Sequence, residues 1–185
     1  MRIKKINYNM MKKKERIFLV GLMGSGKTTV GKILARKLNY KFIDSDLLIE
    51  ENTGVKVPLI FEYEGELGFR KREAKILSDV VAKENIVLST GGGIVLSKDN
   101  RLLLSNFGNV IYLNADINEL AKRLSNDKSR PLLQNVDVKT KLTELLDHRS
   151  FLYKSLADYT INTKDKRAPE IANEIIKNLR PHEKN

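Results

Sequence analysis

The chain has no cysteine, so it holds neither a disulfide framework nor a thiolate metal site. It also lacks any apolar run long enough to cross a bilayer. The apolar stretch Ile17 to Met23 leads directly into Gly24-Ser25-Gly26-Lys27 rather than into a small-residue cleavage site, which argues against a secretory signal. The segment before it is rich in Lys and has no Ser, a poor match to an organellar transit peptide. A cytoplasmic protein that contacts no membrane is the expectation. No repeat, low-complexity segment or Pro/Gly-rich linker divides the 185 residues, so one domain is the simplest account. An apolar content of 41% is enough to fill its core. Neither histidine has a partner at metal-ligand spacing: His148 stands alone and His182 falls near the end.

Positive charge is abundant and unevenly placed. The net charge is +11, which invites a nucleic-acid reading. Residues 1–16 hold Arg2, Lys4, Lys5, Lys12, Lys13, Lys14 and Arg16 against Glu15 alone, a net +6 that leaves +5 for the rest. A site for anionic substrates uses part of that remainder. The arm itself, residues 1–15, reads as a solvated extension, and Met10 and Met11 leave room for a later start. No nucleic-acid partner is expected.

Five short β-branched or aromatic runs alternate with longer amphipathic stretches: Arg16–Val20, Tyr40–Ile43, Ile86–Thr90, Asn109–Leu113 and Tyr159–Asn162. Between the first two runs, Val30, Ile33, Leu34 and Leu38 mark one face of a helix. Glu66–Lys83, Ile117–Leu124 and Val138–Leu156 read as helices in the same way. Such alternation predicts an α/β fold, a parallel sheet with helices on both faces, over residues 16–180 with a tail at 181–185. Ligands then gather beyond the C-terminal ends of the strands.

The chemistry begins just after the first run. Gly21-Leu22-Met23-Gly24-Ser25-Gly26-Lys27-Thr28 fits the phosphate-loop pattern, with a strand before it and a helix after. Its backbone N–H groups and the following helix N-terminus favour phosphate oxygens. Lys27 is placed to reach the β- and γ-phosphates and Thr28 to offer a hydroxyl to Mg²⁺, which needs few protein ligands. After the second run come Asp44-Ser45-Asp46. Spaced two apart on an extended backbone, the two carboxylates point to one side. One would hold a magnesium-bound water and the other would orient or deprotonate a hydroxyl; the competing account is a helix cap.

Further motifs follow in order: Gly65-Glu66 with Phe69-Arg70, then Gly91-Gly92-Gly93, then Arg130-Pro131-Leu132-Leu133. With the phosphate loop and the acidic pair, they make the stretch from about Arg16 to Pro169 resemble the shikimate kinases. That resemblance implies a three-layer α/β/α P-loop kinase fold with a five-stranded parallel sheet, a substrate-binding segment near 47–75 and a lid near 125–136. It implies phosphorylation of the 3-hydroxyl of shikimate by ATP with one Mg²⁺, on the route to chorismate and the aromatic amino acids, by a monomer.

The resemblance also assigns roles. Gly24, Ser25, Gly26, Lys27, Thr28 and Thr29 bind nucleotide, Thr28 and Asp44 (through water) the metal. Asp46 contacts the acceptor hydroxyls as the proposed base, Arg70 and Arg149 bind the substrate carboxylate, and Gly91, Gly92 and Gly93 line its pocket. Arg130 reaches the phosphates from the lid, and Arg123 lies against the adenine. Where the family usually has Pro-Leu-Tyr, this chain has Phe151-Leu152-Tyr153. Physical chemistry agrees, since two guanidinium forks suit a carboxylate and hold a ring against rotation. Arg70, between Phe69 and Lys71-Arg72, has a competing account as part of a solvated helix face, which its motif context disfavours. Two rivals stay open: another small-molecule kinase, such as a gluconate or nucleoside monophosphate kinase, and a non-catalytic nucleotide-binding module that uses its basic arm on RNA.

Overall fold

Apolar runs bounded by Gly, Asn and Asp have little choice but to extend and pair, and each expected strand forms. The structure is a computed structural model that describes residues 15–125, 127, 130–134 and 136–179. The basic arm up to residue 14, the tail at 181–185 with His182, and part of the expected lid lie outside the described residues. The strands are β1 Arg16–Val20, β2 Lys41–Asp44, β3 Ile86–Ser89, β4 Asn109–Asn114 and β5 Tyr159–Asn162, within a residue of expectation at their ends. They form one five-stranded sheet in the order β2-β3-β1-β4-β5, and every neighbouring pair is parallel.

Seven α-helices are found among the described residues: α1 Lys27–Leu38, α2 Ser45–Thr53, α3 Val57–Val81, α4 Lys98–Phe107, α5 Ile117–Leu124, α6 Val138–Leu156 and α7 Ala168–Leu179. Single 3₁₀ turns lie at Ile94–Leu96 and Pro131–Leu133. The expected helix at Glu66–Lys83 extends back to Val57, with a break at Gly65 (φ 67, ψ −175). That backbone region is open essentially to glycine alone. Helical geometry therefore resumes at Glu66, where the apolar pattern placed its start. α4 was not among the expected helices; it is announced by Ser97, whose side chain accepts from the Asn100 N–H as a cap.

The period-two alternation of β1 divides the core between two layers. Phe18 and Val20 face a cluster completed by α3, α4, α5 and α6, through residues such as Leu77, Leu104, Leu120 and Leu142. Ile17 and Leu19 face the opposite cluster, closed by Val30 and Leu34 of α1 and Ile171 and Ile175 of α7. Full burial of each such side chain contributes about 1.5–3 kcal/mol. Arg16, buried at the start of β1, donates to the Lys83 carbonyl at 2.7 Å and to Glu84 at 3.1 Å. No helix among the described residues is long and apolar enough to cross a membrane.

The topology decides where the chemistry goes. From β1 the chain passes over β3 to β2, returns to β3, and then crosses to β4 on the other side of β1. Connections therefore part at the C-terminal edge of β1, which is where open parallel sheets bind ligands. In register, Leu19 pairs with Ser89 and Ser89 with Asp44, so the loops after β1, β2 and β3 open at one level.

Candidate active site

The phosphate loop turns from β1 into α1 with Gly24 at φ 77 and Gly26 at φ 93, a conformation that glycine adopts without steric cost. Lys27 folds back into its concavity. Its Nζ donates to the carbonyls of Gly21 and Leu22 at 2.8 Å and lies 3.5 Å from Ser25 Oγ. The side chain is buried, and that burial pulls its pKa from 10.5 to about 8, with Asp46 and Asp44 opposing the shift. A buried cation ringed by carbonyls is poised for an anion.

The acidic pair reaches the same place by a different route from the one expected. The backbone does not stay extended through Asp46. Asp44 ends β2 and α2 begins at Ser45, so Asp44 is itself the cap, accepting from the Asp46 N–H at 3.2 Å. Capping and ligand-facing placement coexist, because the second Asp44 oxygen accepts from Thr28 Oγ1 at 2.8 Å. Ser89 Oγ stands 3.3 Å from the same threonine hydroxyl. Burial, followed by the neighbouring Asp44, raises the pKa of Asp46.

A cavity of about 700 Å³ lies over these residues; Lys27, Thr28, Asp44, Asp46 and Arg130 are on its wall. A smaller one adjoins it and is lined by Arg70, Arg149, Phe61, Phe69 and the three glycines. Asp46, Gly92 and Arg130 line both. Arg70 and Arg149 are 79 positions apart in the chain and come together because α3 and α6 pack on the same face of the sheet. Arg70 is not a solvated face residue. It is clamped by Glu66 at 2.8 Å and Glu73 at 2.8 Å, and its guanidinium carbon lies 5.3 Å from the Phe69 ring centroid. Arg149 is buried, and its Nη1 has no hydrogen-bond partner among the described residues.

The triple glycine is explained by space. A Cβ on Gly93 would lie 2.0 Å from Arg70 Nη2, and one on Gly91 would lie 2.7 Å from Glu73 Oε1 and 2.9 Å from Asp46 Oδ1. Thr29 is at the cavity wall. Arg123 is exposed and bridges Gly24 O at 3.1 Å and Glu119 at 2.8 Å. Arg130 contacts Asp127 at 3.2 Å. Phe151 is 75% exposed on a continuous α6, so the residue that stands where proline is usual leaves the helix carrying Arg149 intact.

Glu73 was not read from the sequence. It is fully buried, and burial raises its pKa to about 7 even though Arg70 opposes the shift. Its signal was present: Phe69, Glu73, Ile76 and Val80 share the helical spacing of a buried stripe, and an acid in such a stripe demands a cationic partner. Ser45 and Tyr153, which hold the glycine turn, carried no comparable signal.

Comparison with known proteins identifies the family. The family model for shikimate kinase matches residues 23–180. A shikimate kinase from Vibrio parahaemolyticus is 48% identical over 91% of this chain and 98% of its own length. One from Methylococcus capsulatus is 51% identical over 83% of this chain and 86% of its own. The solved structure of a shikimate kinase from Acinetobacter baumannii, in complex with shikimate, superposes with a TM-score of 0.90 at 41% identity, covering 95% of this chain and 98% of that one. Identity at this level over most of both chains, with a family model matching residues 23–180, means that the chain belongs to the shikimate kinase family.

Proposed function

We propose that the chain transfers the γ-phosphoryl group of ATP to the 3-hydroxyl of shikimate, giving shikimate 3-phosphate and ADP, a step toward chorismate and the aromatic amino acids. One observation carries the reading: the cavity with the phosphate loop and the cavity with the paired arginines meet at Asp46, Gly92 and Arg130. A triphosphate held in the first and a hydroxylated carboxylate held in the second would bring the two reacting atoms together beside Asp46.

In this reading Arg70 and the spare Nη1 of Arg149 take the substrate carboxylate, and the ring rests against Phe61, Phe69 and Leu132. The 3-hydroxyl oxygen bonds to the γ-phosphorus as the bond to the β,γ-bridging oxygen breaks, and the hydroxyl proton passes to the Asp46 carboxylate. Lys27 and Arg130 offset the charge on the transferring group and on departing ADP. The hard oxygen donors of Thr28 and Asp44, in contact beside Ser89, fit one magnesium ion, Thr28 directly and Asp44 through water. When bound, that ion supplies further charge neutralisation at the β- and γ-phosphates. Arg123 stands by the adenine. The segment near 125–136, which carries Arg130, serves as a lid that excludes water, and residues near 47–75 form the substrate-binding segment. In this reading the chain acts as a monomer in the cytoplasm.

The test is ADP release by the purified protein with ATP and magnesium, offered shikimate, gluconate or a nucleoside monophosphate. Release with shikimate alone is expected. Release with a nucleoside monophosphate alone, which has no carboxylate, would remove the roles given to Arg70 and Arg149; release with gluconate alone would change the acceptor. Tight ATP binding without release for any acceptor would leave a binding module.

Gly93 gives a sharper test of the arginine clamp. A methyl group there must displace the Arg70 guanidinium from its place beside Glu73. Gly93→Ala is expected to raise the KM for shikimate about ten-fold or more, the weight of one charge-assisted pair, and to leave the KM for ATP unchanged. An unchanged shikimate KM would show that Arg70 does not hold the carboxylate from this position.

A further inference from the structure

The triple-glycine turn is held from behind by two hydroxyl groups. Gly91 N–H donates to Ser45 Oγ at 3.0 Å, and the Tyr153 phenol donates to the Gly92 carbonyl. Neither Ser45 nor Tyr153 is among the described residues that line the two cavities, so neither is placed to touch a substrate.

The anchor at Gly92 has the greater consequence, because Gly92 is wedged between the tyrosine and the phosphate loop. A Cβ at Gly92 would lie 3.4 Å from the Met23 nitrogen and 3.5 Å from the Gly21 carbonyl oxygen. The turn therefore faces the backbone of the loop across a gap about the size of one methyl group. On its other side is a rigid support. Tyr153 is fully buried, and its ring stacks on that of Tyr112 in β4, centroids 5.0 Å apart and planes 17° apart. Tyr153 also lies one turn along α6 from Arg149. The helix that presents a carboxylate-binding guanidinium to the smaller cavity thus also anchors the wall that separates this cavity from the phosphate loop.

We propose that Tyr153 is a positioning residue for phosphoryl transfer: by holding the Gly92 carbonyl, its hydroxyl sets the distance between the phosphate loop and the acceptor cavity. The proposal rests on the shikimate-phosphorylating reading above. Phosphoryl transfer depends on alignment more than on covalent help from the protein, so loosening one wall of the site by a fraction of an ångström acts on the reacting geometry. The phosphates keep Lys27 and the carboxylate keeps Arg70, while Arg149, whose side chain also hydrogen-bonds the Tyr153 phenol, keeps its charge and its unpartnered Nη1. The loss belongs in kcat rather than in either KM. Burial pushes the Tyr153 phenol well above its ordinary pKa, so the hydroxyl stays a donor throughout the working range and adds no limb to the pH profile.

The experiment compares the wild-type chain, Tyr153→Phe and Tyr112→Phe in steady-state kinetics with ATP, magnesium and shikimate, alongside thermal unfolding. Tyr153→Phe keeps the stacked ring and removes the anchor. Its kcat is expected to fall about ten-fold or more, with both KM values within about three-fold of wild type. Tyr112→Phe removes a neighbouring buried hydroxyl that bonds Asn114 and not the turn; it is expected to lower Tm and leave kcat in place. A Tyr153→Phe enzyme with wild-type kcat, whatever its Tm, overturns the proposal, and so does an equal fall in Tyr112→Phe. Should Tyr153→Phe fail to fold, Ser45→Ala loosens the same turn from its other end, and an unchanged kcat there overturns the proposal equally. A wild-type chain without shikimate-dependent ADP release would instead sink the acceptor assignment, a distinct result.

Discussion

Lys27→Ala is expected to lower shikimate-dependent ADP release by about a thousand-fold or more while the protein remains folded. Lys27 is buried at the closed end of the phosphate loop, and among the described residues its ammonium bonds to two carbonyls and lies near one hydroxyl. Neutral partners compensate a buried cation poorly, and burial duly pulls its pKa down to about 8. An incoming triphosphate relieves that imbalance, and no other cation lies as deep beside the loop among the described residues that line the larger cavity. Removing Lys27 therefore deletes charge where it develops in transfer and costs little in the free protein.

The same imbalance has a pH signature whose sign is definite. Above about pH 8 the native lysine loses its proton, while in the unfolded chain it stays charged to about 10.5. Between those values the unfolded state binds the extra proton, so the contribution of Lys27 to stability rises with pH. Nucleotide binding moves the opposite way: above about pH 8 the free enzyme must take up a proton to greet the phosphates, and the KM for ATP rises. Denaturant unfolding across this range measures the first effect, and coupled-assay kinetics with calorimetric nucleotide titration measures the second. Turnover of Lys27→Ala within about ten-fold of wild type would take the lysine out of the machinery.

Asp46→Asn is expected to be the next most damaging change, with kcat lower by about a hundred- to a thousand-fold and ATP affinity preserved. Asparagine keeps the shape and loses the negative charge that aims the hydroxyl and receives its proton. The raised pKa of Asp46 in the free protein, caused by burial and then by Asp44, predicts an acid limb in the wild-type kcat/KM profile: as pH falls through that pKa the carboxylate protonates and kcat/KM drops. In Asp46→Asn that limb should vanish together with most of the rate. Near-normal turnover, or an acid limb retained in the variant, would assign the role elsewhere.

Much of this site was readable because its parts are contiguous. The phosphate loop is eight consecutive residues whose glycines, lysine and threonine each have a local reason to be there. Asp44-Ser45-Asp46 and Gly91-Gly92-Gly93 likewise follow directly on their strands. Arg70 shows where that reach ended. As a residue among basic neighbours it looked half solvent-facing, and only the buried Glu73 three positions on reveals it as a held, oriented group. Both acidic residues line the larger cavity, but the strand ends at Asp44 and a helical turn, not an extended backbone, brings Asp46 there.

What the sequence determined by itself was every feature set by neighbours along the chain: the five apolar runs that become strands, the phosphate loop, the glycine turns, and the helix restart after Gly65. Hydrogen-bond chemistry and backbone sterics act over a few residues, so such features are written locally. The tertiary structure alone decided the strand order β2-β3-β1-β4-β5, the meeting of Arg70 with Arg149, the burial that shifts Lys27, Asp46 and Glu73, and the seat of the Tyr153 hydroxyl on Gly92. Each of these depends on which surfaces are removed from water together, and the packing of α3 and α6 on one face of the sheet settles that.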